Sequence, residues 1–236
     1  MQSLKILKGN IFTTNCQTLV NTVNCVGVMG AGIALEFKLR YPDMDQKYIS
    51  LCQQGLLDIG KLWIYKTTSR WILNFPTKKH WKNPSKESYL HAGLQKFLET
   101  YEEKEIHSIA FPLLGAQHGG IHPEKSLEIM TSYLSKCSIS VEIYQHDPHA
   151  YDDLCEHTRD LFLTTPINKL KLTTGLTPSQ INKLSGIFND SSFTQLNHLT
   201  KVKGISTKTL EKVFAFAMKN ADKKYQDEQQ KLSLHV

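Results

Sequence analysis

The stretch of this chain richest in possible chemistry is Leu19-Val20-Asn21-Thr22-Val23-Asn24-Cys25-Val26-Gly27-Val28-Met29-Gly30-Ala31-Gly32-Ile33-Ala34. An apolar strand ends in two asparagines and runs into a glycine-rich turn that opens a helix. Such a turn leaves backbone N–H groups unpaired and aimed at whatever lies in it, which makes it an anion cradle. It lacks the Lys-Ser/Thr of a P-loop and the G-x-G-x-x-G spacing of a dinucleotide fingerprint, so those two nucleotide-binding classes are disfavoured. One glycine-rich connection needs no ligand. A second, Gly115-Ala116-Gln117-His118-Gly119-Gly120, follows the apolar run Ser108 to Pro112 and precedes another helical pattern. Two such loops after two strands of one sheet can grip a diphosphate from both sides.

Between the loops, Lys78-Lys79-His80-Trp81-Lys82 and Lys86 bring amines and an aromatic ring together. Lysines that track phosphates beside a ring that stacks a base are a common means of holding single-stranded nucleic acid. A solvated basic turn has the same composition. A lysine amine is also a nucleophile when unprotonated, a state favoured by burial or by cationic neighbours such as Lys79 and Lys82. His118 can meet phosphate or make a structural hydrogen bond, and His122 reads as a helix cap. The five cysteines, at 16, 25, 52, 137 and 155, form no C-x-x-C pair. Neither a disulfide framework nor a zinc site is suggested, and buried packing in a reducing cytosol is expected.

Periodicity gives the elements that must position these groups. Leu4 to Ile6, Thr18 to Val23, Leu62 to Tyr65, Trp71 to Asn74, Ser108 to Pro112 and Ser140 to Tyr144 read as strands. Helical patterns lie between them: Ala31 to Arg40, Pro42 to Gly55, the face Leu90, Leu94, Phe97, Leu98 and Tyr101, and a helix opened by Pro123. The alternation predicts an α/β domain with a largely parallel sheet and helices on both faces. In such sheets ligands bind at the carboxyl ends of the strands.

Beyond Asp147 the strand signal ends. Helix entries at Thr177-Pro178, Ser191-Ser192 and Gly204 to Thr207 predict a small all-helical module over 168–220. The expected division is 1–155, a linker 156–167, the module 168–220, and a polar, fraying tail 221–236. Of the 28 Lys+Arg and 22 Asp+Glu, 11 and 5 lie from Pro166 onward, so the whole surplus of +6 belongs to the C-terminal third. That module should face something acidic. No run of about 18 apolar residues exists to span a bilayer, and MQSLKILKGN has no apolar signal core. A soluble, unexported, cytoplasmic protein without a membrane partner is expected.

VNTVNCVGVMGAGIALEFKLRYP, then NFPTKKHWKNPSKESYL, then SIAFPLLGAQHGG, in this order and at these separations, resemble a macrodomain over residues 1 to about 146. Within that family they are most similar to the DarG type, antitoxins that remove ADP-ribose from thymidine bases modified by DarT toxins. The resemblance implies a three-layer fold with a mixed, largely parallel six-stranded sheet, and ADP-ribose lying across the two glycine loops. It implies substrate contacts at Asn10, Ile11, Asn21, Asn24, Gly27, Val28, Met29, Gly30, Ala31, Gly32 and Thr77, and at Gly115, Ala116, Gln117, His118, Gly119 and Gly120. It gives Lys78 the place of the catalytic lysine, and Lys79, His80, Trp81 and Lys82 that of the nucleic-acid contact. No metal and no cofactor are implied. Asn10 stands where many macrodomains carry an adenine-binding Asp. Gly119 stands where a related human glycohydrolase has a second catalytic Asp, and His122-Pro123 replaces a tryptophan-containing turn.

The function implied is a DNA ADP-ribosyl glycohydrolase acting on single-stranded DNA, with a DarT-like toxin as partner. A non-catalytic ADP-ribose reader, a toxin-sequestering protein, a protein de-ADP-ribosylase and an ADP-ribose 1″-phosphate phosphatase can use the same cradle. The C-terminal module is the natural place to bind a toxin, through helical faces bearing Ile181, Leu184, Phe188, Leu210, Val213 and Phe214. Its segment LTKVKGISTKTLEKVF also resembles half of a helix-hairpin-helix.

Overall fold

The apolar runs become six strands: β1 (Leu4–Gly9), β2 (Thr18–Asn24), β3 (Trp63–Lys66), β4 (Trp71–Lys78), β5 (Ser108–Pro112) and β6 (Ser140–His146). The computed structural model describes residues 4–233, with side chains as far as residue 221. The strands form one sheet in the order β1-β6-β5-β2-β4-β3. Every pairing is parallel except β3 with β4, so the sheet is mixed and largely parallel. β4 runs on past the expected Asn74 and through Pro76. β3 pairs only as far as Asn74, and beyond it β4 keeps β2 as its ladder partner, a position that tolerates a residue without an N–H.

Successive strand residues point to opposite faces, and this alternation divides the core. Val20, Leu73, Phe75, Ile109, Phe111, Val141 and Ile143 bury one face, against α3 (Glu87–Thr100) and α4 (Pro123–Leu134). Leu19, Val23, Ile72, Ala110 and Tyr144 bury the other, which carries Phe37 of α1 (Gly32–Arg40) and Met44 and Tyr48 of α2 (Pro42–Gln53). The result is three layers, helices–sheet–helices. His122 takes the cap position of α4, with Pro123 at the first helical position, but its side chain makes no cap hydrogen bond.

The chain divides into two compact units, Met1–Asp147 and Pro148–Val236. The boundary therefore precedes the expected 155, and the segment expected as a linker is instead the helix α5 (Cys155–Thr164). Its polar sequence conceals a narrow buried stripe of Cys155, Thr158 and Phe162, with the Phe162 ring 5.1 Å from that of Phe188. The unit continues with α6 (Ile167–Thr174), α7 (Pro178–Phe188), a 3-10 turn (Leu196–Lys201) and α8 (Thr207–Ser233). Ser191-Ser192 opens no helix. Asp190 Oδ1 accepts from both the N–H and the hydroxyl of Ser192 and closes a turn there. α8 carries the chain through most of the expected tail, and residues 234–236 lie outside the described part. Ile181, Leu184, Phe188, Leu210, Val213 and Phe214 are all 5% exposed or less. The faces expected to meet a toxin form this unit's own core. Among the described residues no helix is long and apolar enough to cross a membrane.

Candidate active site

β2 lies between β5 and β4, so the connections after these three strands leave the sheet side by side at its carboxyl edge. A register shift after Val23 skips Thr77 and sets Asn24 opposite Lys78. A bulge of this kind re-aims a side chain at the end of a strand. Lys78 thus reaches the rim, while Thr77 stays buried.

The first glycine loop is built around Asn24, which is 6% exposed. Its Nδ2 donates to Val28 O at 2.6 Å, and its Oδ1 accepts from the N–H groups of Val26 (3.0 Å) and Val28 (3.3 Å). The Tyr48 hydroxyl donates to Asn24 O (2.7 Å) and lies 3.1 Å from Oδ1, which fastens the loop to α2. Met29 is buried beneath the loop, whereas Val28, Gly30, Ala31 and Gly32 are exposed at its tip. α1 starts there with no side-chain cap on Ala31. Its leading N–H groups are the open donors such a start leaves. Gly32 has φ +56, and a Cβ on it would lie 2.8 Å from the His118 ring. The two glycine loops therefore touch.

The second loop folds back on itself, with Gly120 N–H bonded to Ala116 O and Ile121 N–H to Gly115 O. Gly119 O accepts from Ser85 N–H at 2.9 Å, which joins the loop to the chain after β4. A Cβ on Gly119 would stand 2.2 Å from Gly115 O and 2.5 Å from Ser85 Oγ. Only glycine fits. Ala116 is partly exposed, and Gln117 and His118 are exposed at the rim. Lys78 Nζ donates to His118 O and lies 3.5 Å from Trp81 O. One amine thus stands where the second loop, the β4 turn and, through His118, the first loop converge.

The neighbouring Lys79 is held differently. It is exposed and paired with Asp58 at 2.5 Å, and that hydrogen bond raises its pKa and lowers that of Asp58. Sequence reading missed Asp58, which lies in a loop far along the chain. Lys79 is tied to this carboxylate rather than set as a cationic neighbour of Lys78. Cys25 donates its N–H (3.1 Å) and its thiol (3.3 Å) to Lys78 O. Burial, with Asp58 adding to it, pushes that thiol up to about 12, so Cys25 braces the strand end as a neutral donor. His80 and Trp81 stack at 5.7 Å, Trp81 is 48% exposed, and Lys82 Nζ lies 5.1 Å from the indole centroid.

The remaining expected site residues sit deeper. Asn21 is wholly buried, its Nδ2 bonded to Asn74 Oδ1 at 2.9 Å and its Oδ1 without a partner. Asn10 caps a 3-10 turn by accepting from Phe12 N–H, while its buried Nδ2 has no partner. Ile11 belongs to the core. Ser85, which no motif marked, has a buried hydroxyl without a partner beside Gly119. Among the described residues no group of three His, Cys, Asp or Glu could hold a metal ion.

These features define a three-layer α/β domain with a double glycine cradle and one amine at the carboxyl edge of its sheet. The profile of the Macro domain family matches residues 20–130. The structure of the macrodomain of Mycobacterium tuberculosis DarG is similar at 40% identity and TM-score 0.59, over 61% of this chain and 98% of that one. That of Thermosipho africanus DarTG in complex with ADP-ribose is similar at 36% identity and TM-score 0.59, over 62% and 42%. A Thermus aquaticus protein named DNA ADP-ribosyl glycohydrolase is 40% identical over 147 residues, 60% of this chain and 41% of that protein. The chain thus spans about two fifths of the length of that curated relative. It belongs to the macrodomain family, and it is homologous to the DarG-type antitoxins within it.

Proposed function

We propose that the first unit is an ADP-ribosyl glycohydrolase that removes ADP-ribose from modified nucleobases, thymidine among them, in single-stranded DNA. The observation that carries this reading is the position of Lys78 Nζ, bonded to the carbonyl of His118 where the two glycine loops meet. In this reading the diphosphate lies between Gly27–Gly32 and Gly115–Gly120, on the uncapped start of α1. Asn24 acts by shaping the first loop, and Asn10, Ile11, Asn21 and Thr77 act from beneath as its support. The amine then faces C1″ of the distal ribose. Its lone pair forms the new bond to C1″ as the N-glycosidic bond breaks, and the departing base keeps that electron pair and takes the amine's proton. Opening of the ribose ring gives a Schiff base, which water hydrolyses to free ADP-ribose and the original amine.

His80, Trp81 and Lys82 are suited to the DNA strand, since an exposed ring beside a cation offers a stacking platform with a phosphate partner. A DarT-like ADP-ribosyltransferase is the proposed partner, as the source of the modification. A non-catalytic reader needs the two loops but not an amine at their junction, so the place of Lys78 favours catalysis.

The test is single-turnover release of ADP-ribose from an ADP-ribosylated thymidine oligonucleotide. Lys78→Ala should lose release by about 100-fold or more while its affinity for free ADP-ribose stays within about threefold, because a nucleophile contributes to the transition state rather than to ground-state binding. Full activity of Lys78→Ala with loss in Lys79→Ala would name the wrong lysine. Normal turnover by both would end the covalent proposal.

A further inference from the structure

The second unit contains a duplication that periodicity does not reveal. The turn Gly204-Ile205-Ser206 before α8 has a counterpart in Gly175-Leu176-Thr177 before α7, and both glycines are left-handed, with φ 80 and φ 65. Each is followed by an apolar residue and a hydroxyl residue, and each precedes a lysine at the same offset, Lys183 in α7 and Lys212 in α8. These lysines cross over. Lys183 Nζ donates to Lys203 O at 2.7 Å, next to the second turn, and Lys212 Nζ donates to Gly175 O at 2.5 Å, in the first. Gln180 and Thr209, again equivalent positions, bond to each other at 3.0 Å. The two lysine acceptors differ by one position when the turns are aligned, and the Gln180–Thr209 pair joins strictly equivalent positions, so the contacts approximate a two-fold relation. The half motif read in the sequence is one of two helix-hairpin-helix units joined about an internal pseudo-twofold axis.

The surface around the two hairpins is basic. Lys171, Lys183, Lys201, Lys203, Lys208 and Lys212 lie in them or within about one helical turn of them, and all six are exposed. Between residues 166 and 221 the acidic residues are Asp190 and Glu211 alone, and among the described residues no ion pair engages any of the six lysines. Of the unit's exposed large apolar side chains, Tyr151, Leu163, Ile167 and Leu172, only Leu172, beside Lys171 in α6, lies within a turn of a hairpin. A protein interface needs buried apolar or aromatic anchors, whereas a phosphate backbone needs dispersed positive charge.

We propose that this face is a binding site for the phosphate backbone of duplex DNA, one hairpin to each strand. Two antiparallel strands are themselves related by two-fold axes, and a two-fold pair of loops matches them as dimeric DNA-binding proteins match their operators. The assignment is independent of the glycohydrolase reading, because it asks for no ADP-ribose on the DNA and involves none of the cradle residues.

The experiment is fluorescence anisotropy of the full-length chain with an unmodified duplex and with each of its single strands, at two salt concentrations. If four phosphates are neutralised, duplex affinity should fall about 100-fold between about 50 and about 200 mM salt. Lys203→Glu with Lys208→Glu should weaken duplex binding at least tenfold with melting temperature and ADP-ribose affinity unchanged. Lys5→Glu with Lys219→Glu, the same charge change at exposed positions away from the hairpins, should alter duplex binding less than threefold. Equal losses in the two double variants would reduce the effect to net charge and overturn the site. Tighter binding of a single strand would overturn the two-strand grip. No duplex binding at low salt by folded protein, or displacement of the duplex by poly-glutamate at equal charge concentration, would overturn the assignment to DNA.

Discussion

Lys78 and Lys79 have the same chemistry and adjoin in sequence, and their tasks separate because β4 ends at Lys78 and the chain bends after it. Lys78 meets carbonyls at the junction of the loops, whereas Lys79 meets the carboxylate of Asp58. Asp58 has its pKa lowered by that contact, so its contribution to stability is present above its unfolded pKa and is lost as pH falls through the folded value. Cys25, on the same side, should be inert. Its thiol is pushed up to about 12 by burial, so mass-spectrometric mapping after iodoacetamide treatment at pH 8 should find it unmodified in folded protein and modified after unfolding. Rapid alkylation of the native thiol would contradict the burial described. Gly119 sets a second expectation at this scale. Even a methyl on it would collide with Gly115 O and Ser85 Oγ. Gly119→Ala should therefore lower ADP-ribose affinity at least tenfold and destabilise the fold by about 1–3 kcal/mol through overpacking, as read by calorimetry and thermal melting.

At the scale of elements, the first glycine loop depends on α2 as well as on its own residues. Tyr48 reaches from α2 to both oxygens of Asn24. Tyr48→Phe leaves buried acceptors with fewer donors, at about 1–3 kcal/mol, and should lower both melting temperature and ADP-ribose affinity while leaving Lys78 in place. A fall in stability with unaltered affinity would separate the loop from the ligand. In the second unit, α7 starts with a reciprocal box in which Thr177 accepts from Gln180 N–H and the Gln180 side chain accepts from Thr177 N–H. Thr177→Ala should cost about 1 kcal/mol, visible as a shifted denaturant midpoint at unchanged slope.

At the scale of the molecule, the first unit closes its own core on both faces of the sheet and the second closes one around Phe188, Leu184 and Phe214. A chain ending at Asp147 keeps β6, the central ladder partner of β1 and β5. It should fold and bind ADP-ribose within about threefold of the full chain, because isolated domains with their own cores are in principle autonomous. Calorimetry on residues 1–147 checks this, and an unfolded product would show that the first unit depends on the second.

Residue type and spacing alone determined the strand–helix alternation, both glycine loops and the lysine turn, because period-two and period-3.6 patterns and glycine punctuation are local properties of a chain. The same locality misled at 156–167, where only three buried positions sit in a polar helix, and at Ser191-Ser192, where the Asp190 carboxylate closes a turn instead of a hydroxyl opening a helix. The separation of Lys78 from Lys79, the steric demand at Gly119 and the role of Asn24 belong to the tertiary structure, since Asp58, Ser85 and Tyr48 act on them from distant parts of the chain. The paired hairpins belong there too. Their sequences share little beyond a glycine, an apolar and a hydroxyl residue and a lysine, and the relation between them shows in the bonds of Lys183, Lys212 and Gln180, which form when the helices pack.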